Sequence, residues 1–152
     1  MPAVSFDAVL TCPAVSVPHR WIQRVNDFDG AFKFYMAIMD ALDLRLTFYE
    51  ADKPWAGWRA KDHLRPLFVV GSPFNGKAAA PGNGPMVALL APDRETVHSA
   101  YDRAMENGGS CEGPPGLRPH YHPNYYGAYF RDPDGNKICV CCHDAFPVAE
   151  TR

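Results

Sequence analysis

Long runs of any one kind are missing from this chain. None of its 152 residues falls in an apolar stretch approaching the roughly 20 residues that a membrane helix needs, so no membrane partner is expected. Like charges are not blocked together either. Fifteen Lys and Arg against seventeen Asp and Glu leave a formal charge of −2, which gives no pull toward phosphate backbones or anionic lipid and sets nucleic acid aside. The opening "MPAVSFDAVLTCPAVSVPHR" has no basic n-region, and Asp7 interrupts its apolar part. No secretory signal is therefore expected, "VLTC" lacks the basic flanks of a lipoprotein box, and the expected setting is cytoplasmic. The Gly-bearing "GSPFNGK" has no phosphate-loop spacing, and no serine sits in a nucleophile elbow. Five cysteines is an odd number, and three of them (Cys139, Cys141, Cys142) crowd one short run, a poor spacing for disulfides, so reduced thiols are expected.

What the chain does have is a unit written twice. "RWIQRVNDFDGAFKFYMAIM" (20 to 39) and "MVALLAPDRETVHSAYDRAM" (86 to 105) align at a constant offset of 66, with Asp27 over Asp93, Tyr35 over Tyr101 and Met39 over Met105. Each copy reads as a strand, an Asp at a helix start, and an amphipathic helix. Ala31, Phe34, Tyr35, Ile38 and Leu42 form one apolar stripe, and Val97, Ala100, Tyr101 and Ala104 form the other. Asp27 and Asp93 suit the orphan amides of a first turn, and Asn107-Gly108-Gly109 supplies a stop.

Three strands are expected after each helix: 44 to 50, 55 to 60 and 66 to 71 in the first half, then 110 to 116, 125 to 131 and 137 to 143 in the second. Asp132-Pro133-Asp134-Gly135 between the last two suits a type I turn closing a bulged hairpin. The Pro- and Gly-dense stretch 72 to 85 joins the halves. The chain thus divides into an N-terminal extension (1–18), a first module (19–76), a linker (77–84), a second module (85–146) and a tail (147–152), and forms one α+β domain of two βαβββ modules whose mixed sheets curve around a cavity.

Four segments, "VNDFDGAFKFY" (25 to 35), "APDRETV" (91 to 97), "GLRPHYHPNYYGAYF" (116 to 130) and above all "DPDGNKI" (132 to 138), together resemble the vicinal oxygen chelate superfamily of glyoxalases, bleomycin-resistance proteins, fosfomycin-modifying enzymes and extradiol dioxygenases. The resemblance runs from His19 to His143 and implies paired βαβββ modules, a funnel-shaped cavity and a homodimer. It also implies, in many members, a divalent metal held at three positions that here carry Arg20, Met86 and Cys139. An arginine cannot shed its proton to bind a cation, and a thioether suits hard metals poorly, so no cofactor is expected. His19, one residue off, would turn inward only through a β-bulge. A divalent metal stays open only as a lesser alternative. Bleomycin-resistance relatives are the nearer functional model, since they bind a ligand between modules without needing a metal.

The chemistry-bearing candidates lie in the second half. Cys139, Cys141 and His143 alternate onto one strand face, about 7 Å apart pairwise. They could hold a soft metal if the strand bends, act as a thiol nucleophile beside a histidine, or merely pack as small side chains. Arg118, His120, His122, Tyr125 and Tyr126 lie in a loop entering a strand, where an arginine and two histidines could receive a carboxylate or phosphate, and where Pro119 and Pro123 could equally make a stiff surface loop. Arg20 and Arg24 could add charge, and Trp55 and Trp58 read as core or dimer contacts. The expected ligand-binding set is Arg20, Met86, Arg118, His120, His122, Tyr126, Cys139 and Cys141, engaging a small polar or anionic organic molecule. The alternative is a divergent glyoxalase-like lyase or thiol-dependent transferase with a rearranged site.

Overall fold

The computed structural model describes residues 18–144. The tail, Cys12 and all of the N-terminal extension but Pro18 lie outside the described residues. The first module comprises β1 (Arg20–Arg24), α1 (Phe28–Ala41), β2 (Arg45–Glu50), β3 (Trp55–Arg59) and β4 (Leu67–Gly71). The second repeats the order with β5 (Met86–Leu90), α2 (Arg94–Glu106), β6 (Ser110–Leu117), β7 (Tyr126–Arg131) and β8 (Lys137–Cys142). The starts of β1 and β5, and of α1 and α2, keep the 66-residue offset.

Both helices begin where a carboxylate can accept from an orphan amide. Asp27 accepts from the Gly30 amide at 3.1 Å and Asp93 from the Thr96 amide at 2.7 Å. Gly108, at φ +92°, gives the left-handed step that lets the chain leave α2. The apolar stripe of α1 is fully buried at Ala31, Phe34, Tyr35 and Ile38, and that of α2 at Val97, Ala100 and Ala104.

Each sheet has four strands, ordered β1-β4-β3-β2 in one and β5-β8-β7-β6 in the other. The β1–β4 and β5–β8 pairs are parallel and the rest antiparallel. On β4, Phe68 and Val70 face the helices, and on β8 Ile138, Val140 and Cys142 do the same, so one apolar core runs through both modules. The other parity defines an outer face on each sheet.

Across the modules α1 packs along α2, and Phe34 of α1 meets Phe130 of β7 edge to face with ring centres 6.0 Å apart. A polar clasp reinforces that join. The DPDG turn closes as its sequence requires, with Gly135 at φ +91° and its amide donating to the Asp132 carbonyl at 2.9 Å. The buried Asp132 carboxylate then accepts from the Tyr35 hydroxyl of the first module at 2.6 Å and from the Asn136 amide group at 2.8 Å. Asn136 also donates to the Arg24 carbonyl at 3.0 Å, and Asp134 accepts from the Asn26 amide at 2.8 Å. Burial raises the Asp132 carboxyl above its ordinary range against the opposing pull of the Tyr35 and Asn136 hydrogen bonds.

Candidate functional site

The outer face of the second sheet gathers most of the chain's reactive side chains. Strand register fixes them in rows: Leu90, Cys141, Gly127 and Gly116 lie side by side, and Ala88, Cys139, Tyr129 and Gly113 form the next row. Apart from Leu90 and Tyr129 these rows are small, so the thiols sit on a shallow floor. Cys139 is wholly buried, whereas Cys141 keeps 5% of its surface open. Cys142, with the opposite parity, belongs to the core.

Above the floor, the Tyr125 hydroxyl lies 3.5 Å from the Cys139 sulfur and 3.3 Å from the Tyr129 hydroxyl. Burial, followed by the Cys139 contact, raises the Tyr125 phenol well above its usual range, and burial raises Tyr129 too, so both remain hydrogen-bond donors. The two thiols split. Its hydrogen bond to Cys141, together with burial, pushes Cys139 up, while donation from Cys139, with help from Tyr125 and His143, lowers Cys141 to about 6 against the opposing effect of burial.

Two imidazoles continue the network. His143, just past β8, places Nε2 3.9 Å from the Cys141 sulfur, and its Nδ1 is 2.6 Å from His122 Nε2. His122 Nδ1 accepts from the Asn124 amide at 3.2 Å. That bond fixes the tautomers in sequence: a neutral His122 carries its proton on Nε2 and donates to His143, which must then carry its own on Nε2, aimed at Cys141. A cationic rim lies on the same sheet. Arg118 donates to the Pro114 carbonyl at 2.8 Å and stands 5.6 Å from the centre of the Tyr129 ring, with Lys137 5.7 Å from the same centre. The guanidinium can lie this low because Gly113 and Gly116 lack a Cβ; one added at either would come within 3.2 or 3.0 Å of it.

A groove of about 570 Å³ opens beside this face where the modules meet. Leu42 and Leu44 after α1, His63 in the β3–β4 loop, and Leu90 and His143 at the ends of β5 and β8 line it. Leu90 is the register partner of Cys141, so the groove reaches the edge of the thiol row.

The structure distributes the sequence-derived residues unevenly. Arg118, His122, Cys139 and Cys141 come together on one face. Met86 shares that face two residues before the thiol row and is 41% exposed. Arg20 is exposed at the start of β1 in the other module, paired with Leu67. His19 stays outside the strand and accepts from Arg65 at 2.8 Å, and β1 runs against β4 without a bulge. His120 is exposed, with its ring 4.3 Å from Tyr121.

Tyr126 requires correction. Strand alternation turns it to the helix side, where its hydroxyl lies 2.6 Å from His98 and Arg94 covers its ring, so Tyr125 is the phenol that reaches the thiols. Tyr129, Lys137 and His143, outside the expected binding set, share this face with the thiols. The available signal was the DPDG hairpin, whose register sets Tyr129 opposite Cys139 and Arg131 opposite Lys137.

Two four-stranded mixed sheets, each carrying one helix and joined by a DPDG clasp, define a paired βαβββ protein with a polar outer face on the second module. Residues 17–140 match the model of the Glyoxalase/Bleomycin resistance protein/Dioxygenase superfamily, and the chain belongs to that family. A crystal structure of a glyoxalase/bleomycin resistance protein from Albidiferax ferrireducens is similar, at 34% identity and a TM-score of 0.71, over 81% of this chain and 96% of that one. A glyoxalase-related enzyme from Fulvimarina pelagi (17% identity, TM-score 0.64, 89% and 93% covered) and a lactoylglutathione lyase from Agrobacterium tumefaciens (20%, 0.56, 86% and 96%) share the fold. No curated protein matches. Among the described residues no helix is long and apolar enough to cross a membrane.

Proposed function

We propose that this chain binds a small polar or anionic organic molecule between the inter-module groove and the outer face of the second sheet, and that it does so without a divalent metal. The observation that carries this reading is the chemistry at the three positions where the family resemblance puts metal ligands. Arg20 is a permanent cation, Met86 offers a thioether, and Cys139 is a buried thiol whose proton is retained. That donor set does not fit a hard divalent ion.

Recognition of an anion would fall to Arg118 and Lys137 around Tyr129, with the Tyr125 hydroxyl as a neutral donor. The apolar residues Met86, Leu90 and Leu117 are exposed, and a second copy covering them would make the working unit a homodimer. Elemental analysis of purified protein, with calorimetric titration of a panel of carboxylates and phosphate esters, tests the reading. Expected are no stoichiometric divalent ion and saturable binding that Arg118→Ala weakens about tenfold; a stoichiometric ion lost in Cys139→Ala overturns it. A single-chain mass in light scattering would remove the dimer.

A second reading, a thiol-dependent activity, is favoured by the placement of His143 and His122 beside Cys141.

A further inference from the structure

The thiol row contains one group that the proposed anion recognition does not use, the Cys141 thiol. We propose that Cys141 is a nucleophile that reversibly captures small α,β-unsaturated aldehydes and ketones entering along the inter-module groove, with His143 and His122 as its proton relay. The inference rests on reading this face as the ligand site.

Three observations converge on it. Both thiols of the row are buried, but Cys141 keeps 5% of its surface accessible and Cys139 none. Its flanking residues Leu90 and His143 line the groove, a mixed approach in which Leu42 and Leu44 offer apolar contact for a small carbon chain beside the polar Asp43, Lys61 and Asp62. The relay from the Asn124 amide through His122 and His143 ends on the Cys141 sulfur, so every hydrogen in it points toward the negative charge of a thiolate.

The step balances without an added reactant. The Cys141 sulfur gives an electron pair to the β-carbon, forming one carbon–sulfur bond as the carbon–carbon π bond breaks. That pair moves to the α-carbon as an enolate, which takes a proton from His143 Nε2. His122 restores that proton through Nδ1 of His143, and solvent at the exposed loop restores His122. No group leaves and no electron is lost, so the reverse elimination frees the carbonyl compound. The Tyr125 hydroxyl, on the same face, is a donor for the enolate oxygen.

The test is limited labelling of the full chain with N-ethylmaleimide, itself an α,β-unsaturated carbonyl, followed by peptide mapping, with the exposed Cys111 as an internal reference. At pH 7 Cys141 is expected to react about tenfold faster than Cys111, and its rate to fall as the pH drops through about 6. His143→Gln should slow Cys141 about tenfold and leave Cys111 unchanged, which separates loss of the relay from loss of the fold. Labelling of Cys111 ahead of Cys141, labelling of Cys141 only in denaturant, or an unchanged rate in His143→Gln overturns the inference. The failures are distinguishable. Carboxylate binding with an inert Cys141 sinks only the thiol chemistry, whereas a reactive Cys141 with no carboxylate or phosphate ester bound upholds it and sinks the binding reading.

Discussion

The two modules share a backbone and differ in what their outer faces carry. At matching register the first sheet places Ile22, Val69, Gly57 and Phe48 in the row where the second places Ala88, Cys139, Tyr129 and Gly113. Gly71 in turn stands where the second sheet has Cys141. That row of the first sheet is therefore apolar, with Phe48 lying on Gly57 and 4.7 Å from the Trp55 ring and charge confined to Arg20, Arg24 and Arg59 at its flanks, while the second sheet sets thiols and a phenol among glycines in the same place. A duplicated fold can keep one copy as scaffold and let the other diverge toward chemistry, because helix-side parity alone maintains the shared core.

The largest effect is expected where the modules are joined. Asp132→Ala would leave the buried Tyr35 hydroxyl and the Asn136 amide group without their acceptor, costing about 3 kcal/mol. The matching β3–β4 loop of the first module carries the exposed Asp62 with no such role, and Asp62→Ala should stay within about 0.5 kcal/mol. Urea unfolding of the two variants measures the contrast, and equal losses would dissolve it.

A smaller asymmetry separates the faces themselves. A Cβ at Gly57 would collide with the Phe48 ring, so Gly57→Ala should cost about 2 kcal/mol. On the second sheet a Cβ at Gly127 meets the edge of Tyr125 at 3.0 Å, less closely than one at Gly57 would meet Phe48, so Gly127→Ala should cost under about 1 kcal/mol. Thermal melting of both variants reads the order.

The helix caps should show no such asymmetry, since both modules use the same device. Asp27→Ala and Asp93→Ala are each expected to cost about 1 kcal/mol. The Thr96 hydrogen bonds hold the Asp93 carboxyl below its ordinary range. The folded value is thus the lower one, so this contribution is whole above the unfolded carboxyl range near 3.9 and vanishes as pH falls through the lowered value. Wild type and Asp93→Ala should therefore converge in urea midpoint at strongly acidic pH.

The scaffold was legible in the sequence because it obeys local rules. Periodicity marked both helical stripes, a carboxylate marked each helix start, and Asp-Pro-Asp-Gly set the hairpin. The site was legible only as far as parity on one strand. Cys139, Cys141 and His143 share a face by simple alternation, but nothing local to Tyr125 and Tyr126 says which enters the strand facing outward; that depends on the register of β7 against β8. The His122–His143 contact joins a loop to a strand end across 21 residues, and the Tyr35–Asp132 bond spans 97. Such pairings exist only once both modules have folded.

Cys139→Val bears most directly on the comparison, although it should barely touch stability. It writes into the second sheet the residue that the first carries at the same place, Val69, with volume nearly conserved and a cost under about 1 kcal/mol. What it removes is the thiol that donates to Cys141. Folding lowers the Cys141 thiol to about 6 from an unfolded value near 8.5, so the thiolate belongs to the folded state, and stability gained from it appears as pH rises through that window. In Cys139→Val the maleimide-labelling midpoint of Cys141 should move up toward that of an ordinary thiol while the melting temperature holds. A midpoint that stays put would mean the two imidazoles alone set the thiol's acidity, and that the row matters only as packing, as it does in the first module.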